Sequence, residues 1–125
     1  MMRLRMALST IALALSVGLA PSLARADAVA LGPGMMPDVA IDSAGTAYVA
    51  WNSLDGTALY FCVLPESAGS CTPTTLPVSD YAPARPAAFV SGSTVQVLTS
   101  RCCSAGSQTL RFTSTDGGAT FAAPM

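Results

Sequence analysis

Histidine and lysine are both missing from this sequence of 125 residues, and only 10% of its residues are charged. Without histidine, nucleophile activation by Ser-His or Cys-His pairs and histidine metal sites are excluded. Beyond residue 26 three arginines face seven acidic residues, a net charge of −4. Scattered arginines on an acidic chain cannot neutralise a nucleic-acid backbone, which needs clustered basic residues. The sequence therefore predicts no nucleic-acid partner and no catalysis that depends on histidine.

Residues 1–26 have the pattern of an export signal. Arg3 and Arg5 precede an uncharged apolar run, and Ala24-Arg25-Ala26 supplies a small-x-small cleavage pattern. The run of about 15 residues is shorter than the roughly 20 that a membrane-spanning helix needs. We predict a cleaved signal peptide and a secreted protein, extracellular or periplasmic, with no membrane span after cleavage. An uncleaved anchor is the alternative.

The four cysteines predict structural disulfides. An even cysteine count in an exported chain is typical of disulfide bonding. The cysteines at positions 62, 71, 102 and 103 contain no Cys-x-x-Cys pair, and there is no histidine to complete a zinc site. No metal or other cofactor is therefore predicted.

The rest of the chain shows short β-type runs that recur. A segment beginning at Pro37 aligns with one beginning at Pro86, 49 residues later, and residues 58–61 align with residues 109–112 at a distance of 51. A period of about 40–50 residues with four short strands is typical of a β-propeller blade. We predict an all-β fold, an incomplete propeller of about two four-stranded antiparallel blades after the signal peptide. Its parts are a linker at 27–36, repeat 1 at 37–79 and repeat 2 at 80–125; a small sandwich is the alternative.

Residues 114–121 read Ser-Thr-Asp-Gly-Gly-Ala-Thr-Phe and fit the pattern Ser-x-Asp-x-Gly-x-Thr-aromatic. This resembles the Asp box of the bacterial neuraminidase repeat, found in sialidase-type β-propellers. The resemblance implies a peripheral, non-catalytic turn between the third and fourth strands of a blade. Asp116 would accept backbone N–H bonds and Gly118 would supply a positive φ. The defining positions are Ser114, Asp116, Gly118, Thr120 and Phe121.

At the corresponding place in repeat 1 the pattern is absent, but Cys62 and Cys71 flank it. We therefore predict that a Cys62–Cys71 disulfide closes that hairpin in place of the Asp box. For Cys102 and Cys103 three states stay open. They form a vicinal disulfide, remain two free thiols, or bond to something outside this chain.

No catalytic residue is assigned. The resemblance implies three arginines, a Tyr–Glu nucleophile and an aspartate acid/base, but Glu66 is the only glutamate and Arg85-Pro86 keeps only two residues of the family's Arg-Ile-Pro motif. Tyr48 and Trp51 are expected in the core, with sugar stacking as the alternative. The candidate acids are Asp38, Asp42, Asp55 and Asp80, of which Asp42 and Asp55 are better explained as turn formers.

Two blades would leave apolar side chains uncovered, among them Val39, Ile41, Phe89 and Val90. We therefore expect a truncated reading frame, the N-terminal portion of a longer propeller, or a protomer that oligomerises. The predicted function is a secreted, non-catalytic binding or structural module, whose partner is carbohydrate or another protein chain that completes the propeller. The alternative is the N-terminal portion of an exo-sialidase-type glycoside hydrolase.

Overall fold

The computed structural model describes residues 28–78, 84–101 and 108–125, without the side chain of Arg101. Within these ranges the chain forms strands and turns and no helix, which confirms the all-β prediction. No described segment is a helix long and apolar enough to cross a membrane. The strands are β1 (Met35–Ile41), β2 (Ala47–Asn52), β3 (Leu59–Leu64), β4 (Thr74–Leu76), β5 (Ala87–Ser91), β6 (Thr94–Arg101) and β7 (Gln108–Ser114).

The strands form two antiparallel sheets in which neighbours in sequence are neighbours in space. The first sheet has the order β1-β2-β3-β4 and the second the order β5-β6-β7. After β7 the chain turns back along it: the Ala122 N–H donates to the carbonyl of Thr113 at 2.9 Å, and Arg111 and Met125 exchange backbone bonds of 2.9 and 3.2 Å. The second sheet thus has three strands and a hydrogen-bonded terminal segment, where four strands were predicted.

The two sheets pack face to face on one apolar core. Strands point successive side chains to opposite faces, and the side chains that point between the sheets are almost fully buried. Burying a large apolar side chain contributes about 1.5–3 kcal/mol relative to leaving it exposed, so this interface holds the sheets together. Its buried members are Tyr48, Ala50, Leu59, Phe61, Leu76, Val95, Val97 and Phe112.

The other face of the first sheet is covered by the chain itself. Trp51 is 4% exposed and packs with Val49 and Cys62 on this face, and Leu31 covers them. Gly34 lies so close that an added methyl group would overlap the indole of Trp51. The segment that was predicted to be a linker therefore packs against the sheet, and β1 already begins at Met35.

Polar contacts tie the sheets together where their first strands meet. The Asp38 carboxylate accepts the Ala88 N–H at 2.8 Å, and the Asn52 side-chain amide donates to the carbonyl of Ala84 at 3.0 Å. Asn52 is fully buried, so its hydrogen bond offsets a desolvation cost of about 1–3 kcal/mol. These bonds orient β5 beside β1.

The strand pairing corrects the alignment of the third strands. Asp38 pairs with Ala50, which pairs with Phe61. In the second sheet Ala87 pairs with Leu98, which pairs with Arg111. With Pro37 aligned to Pro86, Arg111 therefore corresponds to Phe61, whereas the sequence comparison had aligned Phe61 with Phe112. The offset is one residue, which moves a side chain to the other face of its sheet.

Of the four apolar side chains that were expected to be uncovered, three are exposed in the structure. Val39, Ile41 and Phe89 are 55%, 64% and 53% exposed. Val90 instead packs against the core between the sheets, because it points to the face of β5 opposite Phe89. The prediction that Val90 is uncovered was wrong.

Candidate functional site

The turn at residues 114–121 is held by two side chains, Ser114 and Asp116. The Ser114 hydroxyl donates to Asp116 Oδ1 at 2.7 Å and accepts the Gly118 N–H at 2.8 Å. Asp116 accepts the Thr120 N–H at 2.9 Å and the Thr120 hydroxyl at 2.6 Å. Four of the five positions of the predicted Asp box therefore form one hydrogen-bonded turn, at the end of β7.

The same turn packs on the first sheet. Gly118 is buried with a φ of +89°, and a methyl group there would come within 2.9 Å of Phe61 and Val63. Phe121 stacks edge-on against Phe61, with ring centroids 4.9 Å apart. The structure therefore places the turn at the contact between the sheets.

Two turns of the first sheet each repeat one part of the hydrogen bonding seen in the 114–121 turn. Asp42 accepts the N–H of Thr46, four residues on, at 2.9 Å, the spacing that joins Asp116 to Thr120. Ser53 donates to Asp55, two residues on, at 2.6 Å, as Ser114 does to Asp116. The sequence signal for both, Asp-x-x-x-Thr at 42–46 and Ser-x-Asp at 53–55, was present but was interpreted only as generic turn sequence.

These hydrogen bonds shift the aspartate pKa values in one direction. The hydroxyl and N–H of Thr120, with the hydroxyl of Ser114, lower the pKa of Asp116 to about 2. The Thr46 N–H lowers the pKa of Asp42, and the Ser53 hydroxyl lowers that of Asp55. All three therefore stay ionised at neutral pH and serve as hydrogen-bond acceptors.

The predicted cysteine pair lies at disulfide distance. Cys62 in β3 and Cys71 in the loop before β4 are bonded, with Cα atoms 6.1 Å apart. Closing a loop of this length stabilises the folded state by about 2–3 kcal/mol on the chain-entropy model. Cys102 and Cys103 lie outside the described residues, so the structure does not test how they pair.

The remaining candidates do not converge on one site among the described residues. The Tyr48 hydroxyl donates to Asp42 at 3.1 Å, and burial raises its pKa. Glu66 is exposed beside Gly45. The Arg85 side chain is 71% exposed and lies 4.0 Å from the Asp38 carboxylate. Arg111 is exposed as well, whereas Asp80 and the side chain of Arg101 are not described.

No group of acidic or cysteine residues in the described ranges is arranged to hold a metal ion. A concave feature lies at the first sheet instead, where two clefts flank residues 31–33 above Trp51. One measures about 250 Å³ and the other about 290 Å³. Trp51 lines both, and its indole N–H is buried, with no hydrogen-bond partner among the residues that the structure describes.

Comparison with known proteins gives no relative. No family model matches the chain, and neither the curated proteins nor the solved structures contain a match. The functional argument therefore depends on the residues and contacts described above.

Proposed function

We propose that this protein is an exported, non-catalytic module of the sialidase-like propeller-repeat type, and that its two sheets are successive blades. Three observations support the proposal. Pro37 and Pro86 stand in or next to the first strands of the two sheets, 49 residues apart. Those first strands, β1 and β5, contact each other. The chain turns between β7 and the segment beside it through the Ser-x-Asp-x-Gly-x-Thr sequence.

The pKa shifts and hydrogen bonds of the described aspartates support the non-catalytic part of the proposal. The acid of a glycoside hydrolase needs a raised pKa so that it holds a proton near neutral pH. Asp42, Asp55 and Asp116 show the opposite shift, because each is saturated with donors from its own turn. Asp38 is occupied by the Ala88 N–H and faces Arg85. A binding or structural role requires no proton transfer and fits these groups better.

One observation favours the alternative of a sialidase-type hydrolase. Arg85 is exposed just before β5, followed by Pro86, at the place where the two first strands meet. An exposed guanidinium with a carboxylate 4.0 Å away is able to bind a sugar carboxylate after the ion pair opens. The enzyme would then require its further arginines and its nucleophile from other parts of the protein.

A fluorogenic sialoside assay on the purified protein separates the two functions. We expect no turnover above the rate without protein, with a known sialidase as the positive control. Turnover that Arg85→Ala abolishes and Arg111→Ala preserves would establish the hydrolase instead. Because both arginines are exposed, neither substitution is expected to disturb the fold.

Export is tested separately. We propose cleavage after Ala26, so the protein recovered from the periplasm or the medium should begin at Asp27. Intact-mass measurement and N-terminal sequencing give the answer. Recovery of the uncleaved chain in the membrane fraction would support the anchor alternative.

A further inference from the structure

The two sheets pack on each other through non-corresponding faces. In the alignment of the repeats, the residues of β1 and β5 correspond at a distance of 49. Ala40 of β1 packs against the core between the sheets, but its counterpart Phe89 is 53% exposed. Val90 of β5 packs against this core, but its counterpart Ile41 is 64% exposed. The contact is therefore head to tail, because one sheet uses one face of the repeat and the other sheet uses the opposite face.

Each sheet has an outer face, which points away from the other sheet. On the outer face of the first sheet Val39 and Ile41 are exposed, whereas their counterparts Ala88 and Val90 point into the contact between the sheets. On the outer face of the second sheet Phe89 is exposed. The three most exposed large apolar residues of the described strands thus stand where the other repeat makes its contact.

A second copy of this chain carries the face that each outer face requires. The outer face of the second sheet corresponds to the packed face of the first sheet, and the reverse is also true. We infer that copies of this chain assemble head to tail, with the outer face of the second sheet of one copy on the outer face of the first sheet of the next. Contacts of this kind close into a ring when their rotation permits it. Since propellers have about four to eight blades, the ring contains about two to four copies.

The existing contact predicts where the charges of the two outer faces meet. Phe61 of the first sheet packs on the turn at 114–121, against Gly118 and Phe121. The strand pairing places Arg111 where the first sheet has Phe61. In the assembly Arg111 therefore lies against the part of the next copy that corresponds to this turn.

That part is the loop at residues 65–73 between β3 and β4, and it contains Glu66. Arg111 and Glu66 are both exposed, and neither forms an ion pair within the described part of the chain. The proposed contact brings this cation and this carboxylate together. Complementary charges at the edge of a contact fix its register and disfavour wrong pairings.

Residues 28–34 fit this arrangement. They cover Trp51 and leave the outward side chains of β1 exposed. Val78, which stands 49 residues after Val29, packs against the core between the two sheets. A segment that precedes a first strand is therefore already part of the existing contact, and residues 28–34 take the same place in the contact between copies.

The outer face of the second sheet is mixed in character. Gln96, Thr113 and Arg111 lie on it with Phe89. Reversible interfaces are about as apolar as the rest of a protein surface, whereas the interfaces of permanent homodimers are more apolar. We therefore expect a protomer that folds alone and assembles reversibly as its concentration rises.

This inference rests on one part of the proposed function, that the two sheets are successive repeats, and it names a second copy as the partner. It uses neither the export signal nor the absence of catalysis. A failure to assemble would leave the sialoside assay and the N-terminal sequence unchanged. Sialoside turnover would leave the mass of the assembly unchanged.

Sedimentation velocity of the purified chain over a wide range of concentration tests the assembly. The mass should rise from that of one copy to that of one discrete species of two to four copies. The Cys102→Ser/Cys103→Ser variant should give the same species, which shows that no disulfide between copies is responsible.

Three exposed apolar residues provide matched variants. Ile41→Asp and Phe89→Asp each place an unpaired charge in one of the two outer faces, and each should keep the protein as single copies. Leu54→Asp makes the same change at a similarly exposed residue in the turn between β2 and β3, on neither face, and should preserve the assembly. Circular dichroism of dilute samples should show the same fold in all three.

Mixing two of these variants distinguishes a head-to-tail contact from a symmetric one. Ile41→Asp retains the face that Phe89→Asp has lost, and the reverse is also true. An equimolar mixture should therefore form a complex of one copy of each variant and grow no further. In a two-fold symmetric dimer a face pairs with itself, so only one of the two variants would dissociate it and mixing would restore nothing.

Charge reversal tests the register of the contact. Arg111→Glu brings two carboxylates together and should raise the dissociation constant at least about tenfold, which corresponds to about 1.4 kcal/mol. Glu66→Arg should have a similar effect. The double variant Arg111→Glu/Glu66→Arg should restore assembly, because the pair is present again with its charges exchanged.

Several results would overturn the inference. A mass of one copy at every concentration would leave the two outer faces to another protein. Unaltered assembly in both Ile41→Asp and Phe89→Asp would place the contact elsewhere. A mixture of these variants that stays as single copies would contradict the head-to-tail contact, and polymers of increasing length would contradict the ring. A double charge variant as weak as the single ones would contradict the proposed register.

Discussion

The central strands of the two sheets, β2 and β6, are buried in different ways. In β2 every residue from Tyr48 to Asn52 is buried, because the second sheet covers one face and residues 28–34 cover the other. In β6 buried and half-exposed residues alternate strictly from Thr94 to Ser100. The first sheet is thus a middle layer, whereas the second has one solvated face, typical of an antiparallel sheet at a surface.

The outer face of the second sheet carries different residue types from the packed face of the first sheet. The strand pairing places Arg111 where the first sheet has Phe61, and Gln96 beside Thr113 on the same face. The face that the first sheet uses for packing is therefore largely polar in the second sheet. The two sheets also differ in their third hairpin, which a disulfide closes in one and the Ser114–Asp116 hydrogen bonds close in the other.

The largest effect is expected from removing a ring at the contact between the sheets. Phe61→Ala should lower the free energy of unfolding by about 3–5 kcal/mol, since Phe61 is 1% exposed and contacts Phe121. Phe89→Ala on the outer face is the control and should change it by less than about 0.5 kcal/mol. Urea unfolding measures both, and equal losses would contradict the assignment of the two faces.

The two adjacent glycines of the C-terminal turn offer a matched pair. Both have a positive φ, but only at Gly118 would a methyl group overlap Phe61 and Val63. Gly117→Ala should cost about 1–2 kcal/mol for backbone strain. Gly118→Ala should cost about 2–4 kcal/mol, because overpacking adds to the strain. Similar losses would mean that the turn does not pack on the first sheet.

Reduction of the Cys62–Cys71 disulfide tests how much this bond stabilises the first sheet. In a Cys102→Ser/Cys103→Ser background, reductant should lower the free energy of unfolding by about 2–3 kcal/mol. Adding Cys71→Ala to that background should remove the response. Peptide mapping without reduction should recover Cys62 joined to Cys71. A peptide that joins Cys62 to Cys102 or Cys103 in the native sequence would show that the pairing is wrong.

The smallest effect is expected when acid protonates Asp116 and removes its hydrogen bonds in the second sheet. The pKa of Asp116 is about 2 in the folded protein, against about 3.9 in an unfolded chain. Its contribution to stability is therefore complete above pH 4 and is lost as the pH falls toward 2. Asp116→Asn should flatten the stability curve in this range, and it should do so more than Asp42→Asn, whose carboxylate has the smaller shift. Thermal melts between pH 2 and 5 provide the measurement, and a greater flattening by Asp42→Asn would refute this ranking.

Much of the local structure could be predicted because it depends on neighbouring residues. Asp42 and Asp55 form turns with donors that lie two to four positions away. The cysteine pair 62 and 71 was predicted from the repeat, because the two residues flank the place that corresponds to the Asp box, and the structure joins them. The third-strand register could not be predicted, because the match of Leu59-Tyr-Phe with Leu110-Arg-Phe follows apolar character and ignores which face each side chain occupies.

The candidate cleft was less accessible to prediction. Trp51 was correctly expected to be buried, but its neighbours Leu31 and Gly34 belong to a stretch that was interpreted as a linker. Nothing in that stretch has the alternation of a strand or the spacing of a helix. Leu31 contacts this cluster through its side chain and Gly34 lies against the indole through its backbone. Both are about 17 to 20 positions away from Trp51, and contacts at that distance leave no local pattern.

Local chemistry in the sequence was sufficient to specify an all-β chain, its hairpin turns and the residues that close them, since each of these arises within a few residues. The packing of one sheet on the other established which faces are covered and which ring belongs to the shared core, and the packing of residues 31–34 on the first sheet buried the indole of Trp51. Those features depend on residues about 15 to 60 positions apart, and only the folded chain brings them together.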